Sequence, residues 1–181
     1  MIEGILATWG ATAAWSIFGP VLEKLAKDVV NDTAKNYARK CFGNVFSPLN
    51  KKPLTKATGL AVKELLSLLE DELLDADLET RELEAMRDSV ADFLEQDAVQ
   101  QTMGSLFLEP GYHHDPAAFA KAWAAIDDAP VLPDDFSWRR ISKRFSRKVE
   151  AIREDSAELR ETFTSRGNCG SAQTSRTGRG V

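Results

Sequence analysis

Few residues in this sequence have the types and spacing that chemistry requires. The two histidines, His113 and His114, stand side by side before Asp115. Adjacent side chains point in different directions, and no second ligand group stands at i+4 spacing, so the trio reads as a surface loop and not as a metal site. Cys41 lies in an apolar helical stripe with Phe42 and Val45 and reads as packing. Cys169 sits in a polar tail with no visible partner. Two cysteines so far apart form neither a disulfide framework nor a zinc site, and they fit a reducing compartment. The phosphate-cradling pattern GxxxxGK[ST] is absent, as are GxGxxG after a strand and the GxSxG elbow. Carboxylates are plentiful but follow the spacing of solvated helix faces, whereas a catalytic pair needs environments that split its pKa values. No catalytic, cofactor-binding or metal-binding residue is assigned, no cofactor is expected, and the chain reads as a protein that is not an enzyme and does not hydrolyse ATP.

Charge offers more. Between Glu64 and Asp97 there are 13 acidic residues and two basic ones, Arg81 and Arg87. Between Arg139 and Arg153 there are seven basic residues and one acidic residue, Glu150. Opposite faces of this kind steer helices of one bundle together, although a single exposed pair contributes only ~0–1 kcal/mol. The alternative is a basic face for an acidic partner, carried by Arg139, Arg140, Lys143, Arg144, Arg147 and Lys148. Nucleic acid fits poorly: the net charge of −5 is acidic, and no aromatic platforms interleave with the basic helix.

The elements that position these groups read as helices throughout. No run alternates β-branched residues, and no Asn-Gly or Asp-Gly hairpin turn occurs. A first helix ends at Gly19-Pro20. Pro20 suits the first turn of a second helix, which carries Leu22, Leu25, Val29, Tyr37, Cys41 and Val45 and stops before Ser47-Pro48. A third runs from about Leu54 to Leu74 and breaks at Asp75-Ala76-Asp77. Thr80 and Asp97 are the expected caps of a fourth and a fifth helix. Glu109-Pro110-Gly111 is a turn, and Asp115-Pro116 caps and opens a sixth. Ser137 caps a seventh, in which Trp138, Ile141, Phe145, Val149 and Ile152 make a one-faced stripe that Leu159 and Phe163 continue. Over residues 137–163 that helix would measure ~40 Å. The expectation is an all-α bundle of about six to seven helices over residues 1–163. Residues 164–181 follow as a Gly/Ser/Thr/Arg tail too poor in apolar side chains to order itself.

The N-terminus narrows the function. Gly4 to Leu22 carries no charge over 19 residues, but three glycines, Pro20, Thr8, Thr12 and Ser16 dilute it as a bilayer span. A signal peptide needs a basic start, and Glu3 stands there instead. On a helical wheel Ile5, Leu6, Trp9, Ala13 and Ile17 share one face, whereas Trp15 and Phe18 fall away from it. Trp9, Trp15 and Phe18 are therefore expected to face a partner protein, with a membrane as the alternative target of residues 2–18. The polar face of a membrane-surface helix normally carries Lys or Arg, and this one offers only Glu3.

The run Leu132-Pro133-Asp134-Asp135-Phe136-Ser137-Trp138, followed by Ile141, Lys143-Arg144-Phe145 and Lys148-Val149, resembles the helical domains that precede NACHT nucleotide-switch modules in bacterial NLR-like proteins. Ala61-Val62-Lys63-Glu64-Leu65, Ala34-Lys35-Asn36-Tyr37 and Glu158-Leu159-Arg160-Glu161 extend the resemblance to roughly Ile5–Phe163. It implies a signalling or effector-coupling domain of antiphage defence in the cytoplasm, acting through protein partners or self-association. Alternatively, it implies a helical effector that perturbs membranes once clustered. The resemblance transfers no catalytic residue, and it leads to no small-molecule substrate. These residues contain no Walker motif, so the expectation is a stand-alone or truncated N-terminal domain without its NACHT ATPase.

Overall fold

The computed structural model of the protein describes residues 17–27, 33–109, 111–112 and 115–161. Eight α-helices and a short further helical segment at 157–161 form among the described residues, with no strand. The eight are α1 (Gly19–Lys27), α2 (Thr33–Phe42), α3 (Lys51–Asp75), α4 (Thr80–Ala85), α5 (Arg87–Glu95), α6 (Asp97–Leu108), α7 (Pro116–Ala124) and α8 (Trp138–Asp155). A single 3-10 turn, Gly43–Val45, follows α2. The fold is all-α. The proposed first helix, including Trp9 and Trp15, and the tail from 164 to 181 lie outside the described residues.

Several boundaries follow from capping chemistry. Asp115 accepts a hydrogen bond from Ala117 N at 2.9 Å, and Pro116 occupies the first turn of α7, where its missing N–H costs nothing. Ser137 caps α8 through the N–H of Arg140 at 3.3 Å. The C-terminus of α3 is a Schellman turn: Leu78 N donates to Leu73 O at 3.2 Å and Asp77 N to Leu74 O at 3.0 Å. Asp77 takes the left-handed conformation there, with φ 62°. Gln96, rather than Asp97, is the cap residue of α6.

Two expected helices are interrupted. The fourth is in fact α4 and α5, joined at Met86, which ends one and begins the other. Its start also differs. Glu79, not Thr80, is the cap, in a box in which Glu82 bonds back to Glu79 N at 2.8 Å. The seventh stops at Asp155 because Ser156 is extended (φ −101°, ψ 111°). Ser156 then caps a last turn, residues 157–161, accepting Leu159 N on its side chain and Arg160 N on its carbonyl. Leu159 still reaches the core, so the apolar stripe outlasts the helix that began it. Of the expected second helix, α1 and α2 and the turn at Gly43–Val45 are described, and residues 28–32 between them lie outside the described residues.

Helix α3 supplies the spine of the core through Leu54, Ala61, Leu65, Leu69 and Leu73, all buried. Its largest partner is α8, which presents Ile141, Phe145 and Val149. Phe93 of α5, Phe119 and Trp123 of α7, and Trp138 of α8 gather with ring centroids 5.2–6.2 Å apart, within the favourable range for aromatic pairs. Helices α2 and α6 cross at Gly104, where the backbones pack closely.

Cys41 lies on α2 at that crossing and is buried. Burial pushes its thiol from the ordinary 9.0 up to about 12. Below pH 9 both folded and unfolded chains hold the proton. As pH rises between 9 and 12 the unfolded chain releases it first, so stability falls by at most ~1.4 kcal/mol per pH unit from this group. Buried Tyr37, whose O–H donates to Leu94 O at 2.8 Å, acts in the same direction at higher pH. Urea unfolding at pH 8 and pH 10 is expected to show a larger loss for the wild-type chain than for Cys41→Ala. Equal losses would refute the assignment.

Candidate interaction site on the two edges of the basic helix

The basic residues of α8 divide between two edges of one helix. Every fourth residue from Arg140 faces α3. Lys148 reaches Glu64 at 3.1 Å, Arg144 reaches Asp71 at 3.3 Å and Arg140 reaches Glu72 at 2.6 Å. These three of the six expected interface cations are thus used inside the fold. The first two pairs are half-exposed and contribute only ~0–1 kcal/mol each.

The third pair differs in kind. Glu72 is 2% exposed, and its Oε1 accepts from Ser137 N at 2.9 Å and Arg140 Nε at 2.7 Å. A carboxylate of α3 thereby caps the N-terminus of α8, where the helix dipole favours negative charge. Hydrogen bonding by Glu72, and then its charge, hold the Arg140 guanidinium above its ordinary pKa. Arg140 also donates to Asp135 O at 2.6 Å, which fixes the loop before α8. Arg140→Ala is expected to lower the melting temperature more than Arg144→Ala or Lys148→Ala, because it leaves a buried carboxylate without its cation. Its effect should also survive high salt, which removes the other two. Thermal melts at low and high ionic strength test the order.

Arg139, Lys143 and Arg147 occupy the other edge and face a cleft of about 560 Å³, which Arg153 also lines, paired with Glu150 at 3.9 Å. Its opposite wall is built by Leu106, Glu109, Gly111, Tyr112 and Pro116. Tyr112 N donates to Glu109 O at 3.0 Å, which closes the expected turn, and Gly111 there has φ 77°. Only glycine adopts that conformation without strain.

Phe18 corrects the N-terminal expectation. It is 0% exposed and belongs to the core, so it offers no surface to a partner. Its N–H donates to Glu70 Oε2 at 3.3 Å, and Arg87 Nε donates to Ile17 O at 2.7 Å. Ile17 and Phe18 form a turn before α1, which starts at Gly19, so helical periodicity does not set the direction of Phe18. Leu49 and Val131, which periodicity does not single out, stand 97% and 96% exposed in loops. Single exposed apolar side chains of this kind are ordinary.

No group of three His, Cys, Asp or Glu residues that could hold a metal occurs among the described residues. No helix there is long and apolar enough to cross a membrane. Fold and surface together define an all-α domain with an internally paired basic edge and an open cationic edge. Residues 25–177 match the family model of the NACHT N-terminal Helical domain 2, and the chain belongs to that family. It is therefore a helical domain of NACHT proteins. No curated protein and no solved structure gives a significant match.

Proposed function

We propose that this domain relays the state of a NACHT switch to its output through contacts with protein partners or with further copies of the chain. The setting proposed is the cytoplasm of a bacterium, in defence against phage. The observation that carries the reading is the family match over residues 25–177. Two surfaces suit such contacts. One is the segment with Trp9 and Trp15, on the evidence of its sequence pattern. The other is the outer edge of α8 with Arg139, Lys143 and Arg147. The helical domain proper is taken to span residues 1–163, with 164–181 as a Gly/Ser/Thr/Arg tail.

The test compares the full chain with one lacking residues 2–16, a deletion that spares the buried Phe18. Sedimentation of each, alone and mixed with a NACHT module of the same family, is expected to show association that the deletion weakens at unchanged thermal stability. A monomer in every mixture would overturn the reading. Liposome flotation lost on the same deletion would replace it with the membrane effector. Bacteria that express the chain with its NACHT module should form fewer plaques on phage challenge. Unchanged plaque counts would remove the defence role.

A further inference from the structure

The cleft beside α8 contains a serine that behaves unlike its neighbour. A serine inside a helix either points its hydroxyl to solvent or donates it to the carbonyl four residues back. Ser146 does the second, reaching Ser142 O at 2.9 Å. Ser142 does neither. It is 3% exposed, and its Oγ has no hydrogen-bond partner among the described residues. A buried hydroxyl without a partner is costly, and such groups in native proteins have a reason. Ser142 and Ser146 both line the cleft that Arg139, Lys143 and Arg147 flank; of its two carboxylates, Glu150 is paired with Arg153 and Glu109 stands on the far wall.

We propose that this cleft binds a small ligand carrying a chain of phosphates, of the nucleoside triphosphate class, with the Ser142 hydroxyl and the Arg139, Lys143 and Arg147 cations on its oxygens. Three observations fix the chemistry. The free hydroxyl is a donor, and an anionic oxygen is the acceptor that completes it. Arg139, Lys143 and Arg147 spread over two helical turns, ~12 Å, which matches a string of charges better than a single one. The cleft is concave and of a volume typical of small-molecule sites, ~300–1,000 Å³, and Tyr112 lines its far wall. A flat acidic protein surface would meet the outer cations but would not fill the cleft or reach the buried serine. The absence of a glycine-rich loop means that recognition rests on side chains, and no hydrolysis is implied.

The experiment titrates the full chain with sodium tripolyphosphate and with ATP by calorimetry, at one fixed ionic strength. Saturable one-to-one binding of both is expected. Equal affinity assigns the recognition to the phosphate chain, and tighter ATP binding adds the nucleoside. Lys143→Glu with Arg147→Glu should weaken both probes about ten-fold or more, whereas Arg144→Glu on the opposite edge should leave them nearly unchanged. Ser142→Ala should weaken both by roughly three- to ten-fold. Circular dichroism melts of each variant confirm that the fold is retained. The proposal is overturned if neither probe binds at millimolar concentration, if the double charge reversal leaves binding intact, or if polyglutamate binds more tightly than either probe.

Discussion

Gly104→Ala is expected to destabilise the protein by ~3 kcal/mol or more. A Cβ at Gly104 would lie 1.7 Å from the carbonyl oxygen of Cys41 and 2.7 Å from its carbon. Both atoms are backbone, so no side chain can rotate away. Helices α2 and α6 must separate instead. Their interface holds the Phe42 and Phe107 rings, whose centroids are 5.6 Å apart, and opening it exposes both. Alanine is the better helix former by ~1 kcal/mol, which is too little to offset the clash. In a chain of this size each kcal/mol shifts the melting temperature by ~2–4 °C, so a fall of roughly 6–12 °C is the smallest expected. Urea unfolding of the two proteins measures it directly. A variant as stable as the wild type would show that the two helices do not meet at this distance.

That close crossing also marks where the sequence stops being informative. Asp115-Pro116, Ser137 and the Ile141, Phe145, Val149 spacing are local signals, and each reappears as a cap or a buried stripe. Gly104 gives no local signal, because its role depends on a helix some sixty residues earlier. The break at Ser156 is hidden for a different reason. Hydrophobic periodicity reports which residues reach the core, and Leu159 reaches it from a fresh turn as well as it would from a continuous helix. The junction at Met86 is masked in the same way, since Leu83, Met86 and Val90 are all buried on either side of it.

The basic helix was half legible. Its net charge and four-residue spacing are plain in the sequence, and so is the acidic run it meets. Which cations meet those acids depends on the antiparallel register of α3 and α8, in which Glu72, Asp71 and Glu64 face Arg140, Arg144 and Lys148 in turn. Glu72 itself was one carboxylate among 13 in that run. Nothing in its neighbours marks it as the group that caps a helix 65 residues later. Ser142 likewise has no special signature, because its free hydroxyl is a matter of rotamer and packing.

Phe145→Ala is the second large effect, and it tests whether that register is held by packing or by charge. Phe145 is fully buried on α8, with its ring centroid 6.2 Å from that of Phe119 on α7. Truncating a buried phenylalanine costs ~3–5 kcal/mol through lost transfer energy and the cavity left behind. That is a large part of the ~5–15 kcal/mol that holds a typical domain folded. Phe145→Leu keeps most of the volume and should cost only about 1–2 kcal/mol. The half-exposed pairs along α3 cannot make up the difference, and they weaken further with salt. Unfolding in urea should therefore show a deficit for Phe145→Ala that is the same at low and high ionic strength. Because α8 carries the cationic wall of the cleft on its outer edge, the loss should loosen that wall as well, with faster amide exchange at Lys143 and Arg147 than in the wild type. A cost below ~0.5 kcal/mol, the range of surface substitutions, would mean that the stripe does not anchor the helix.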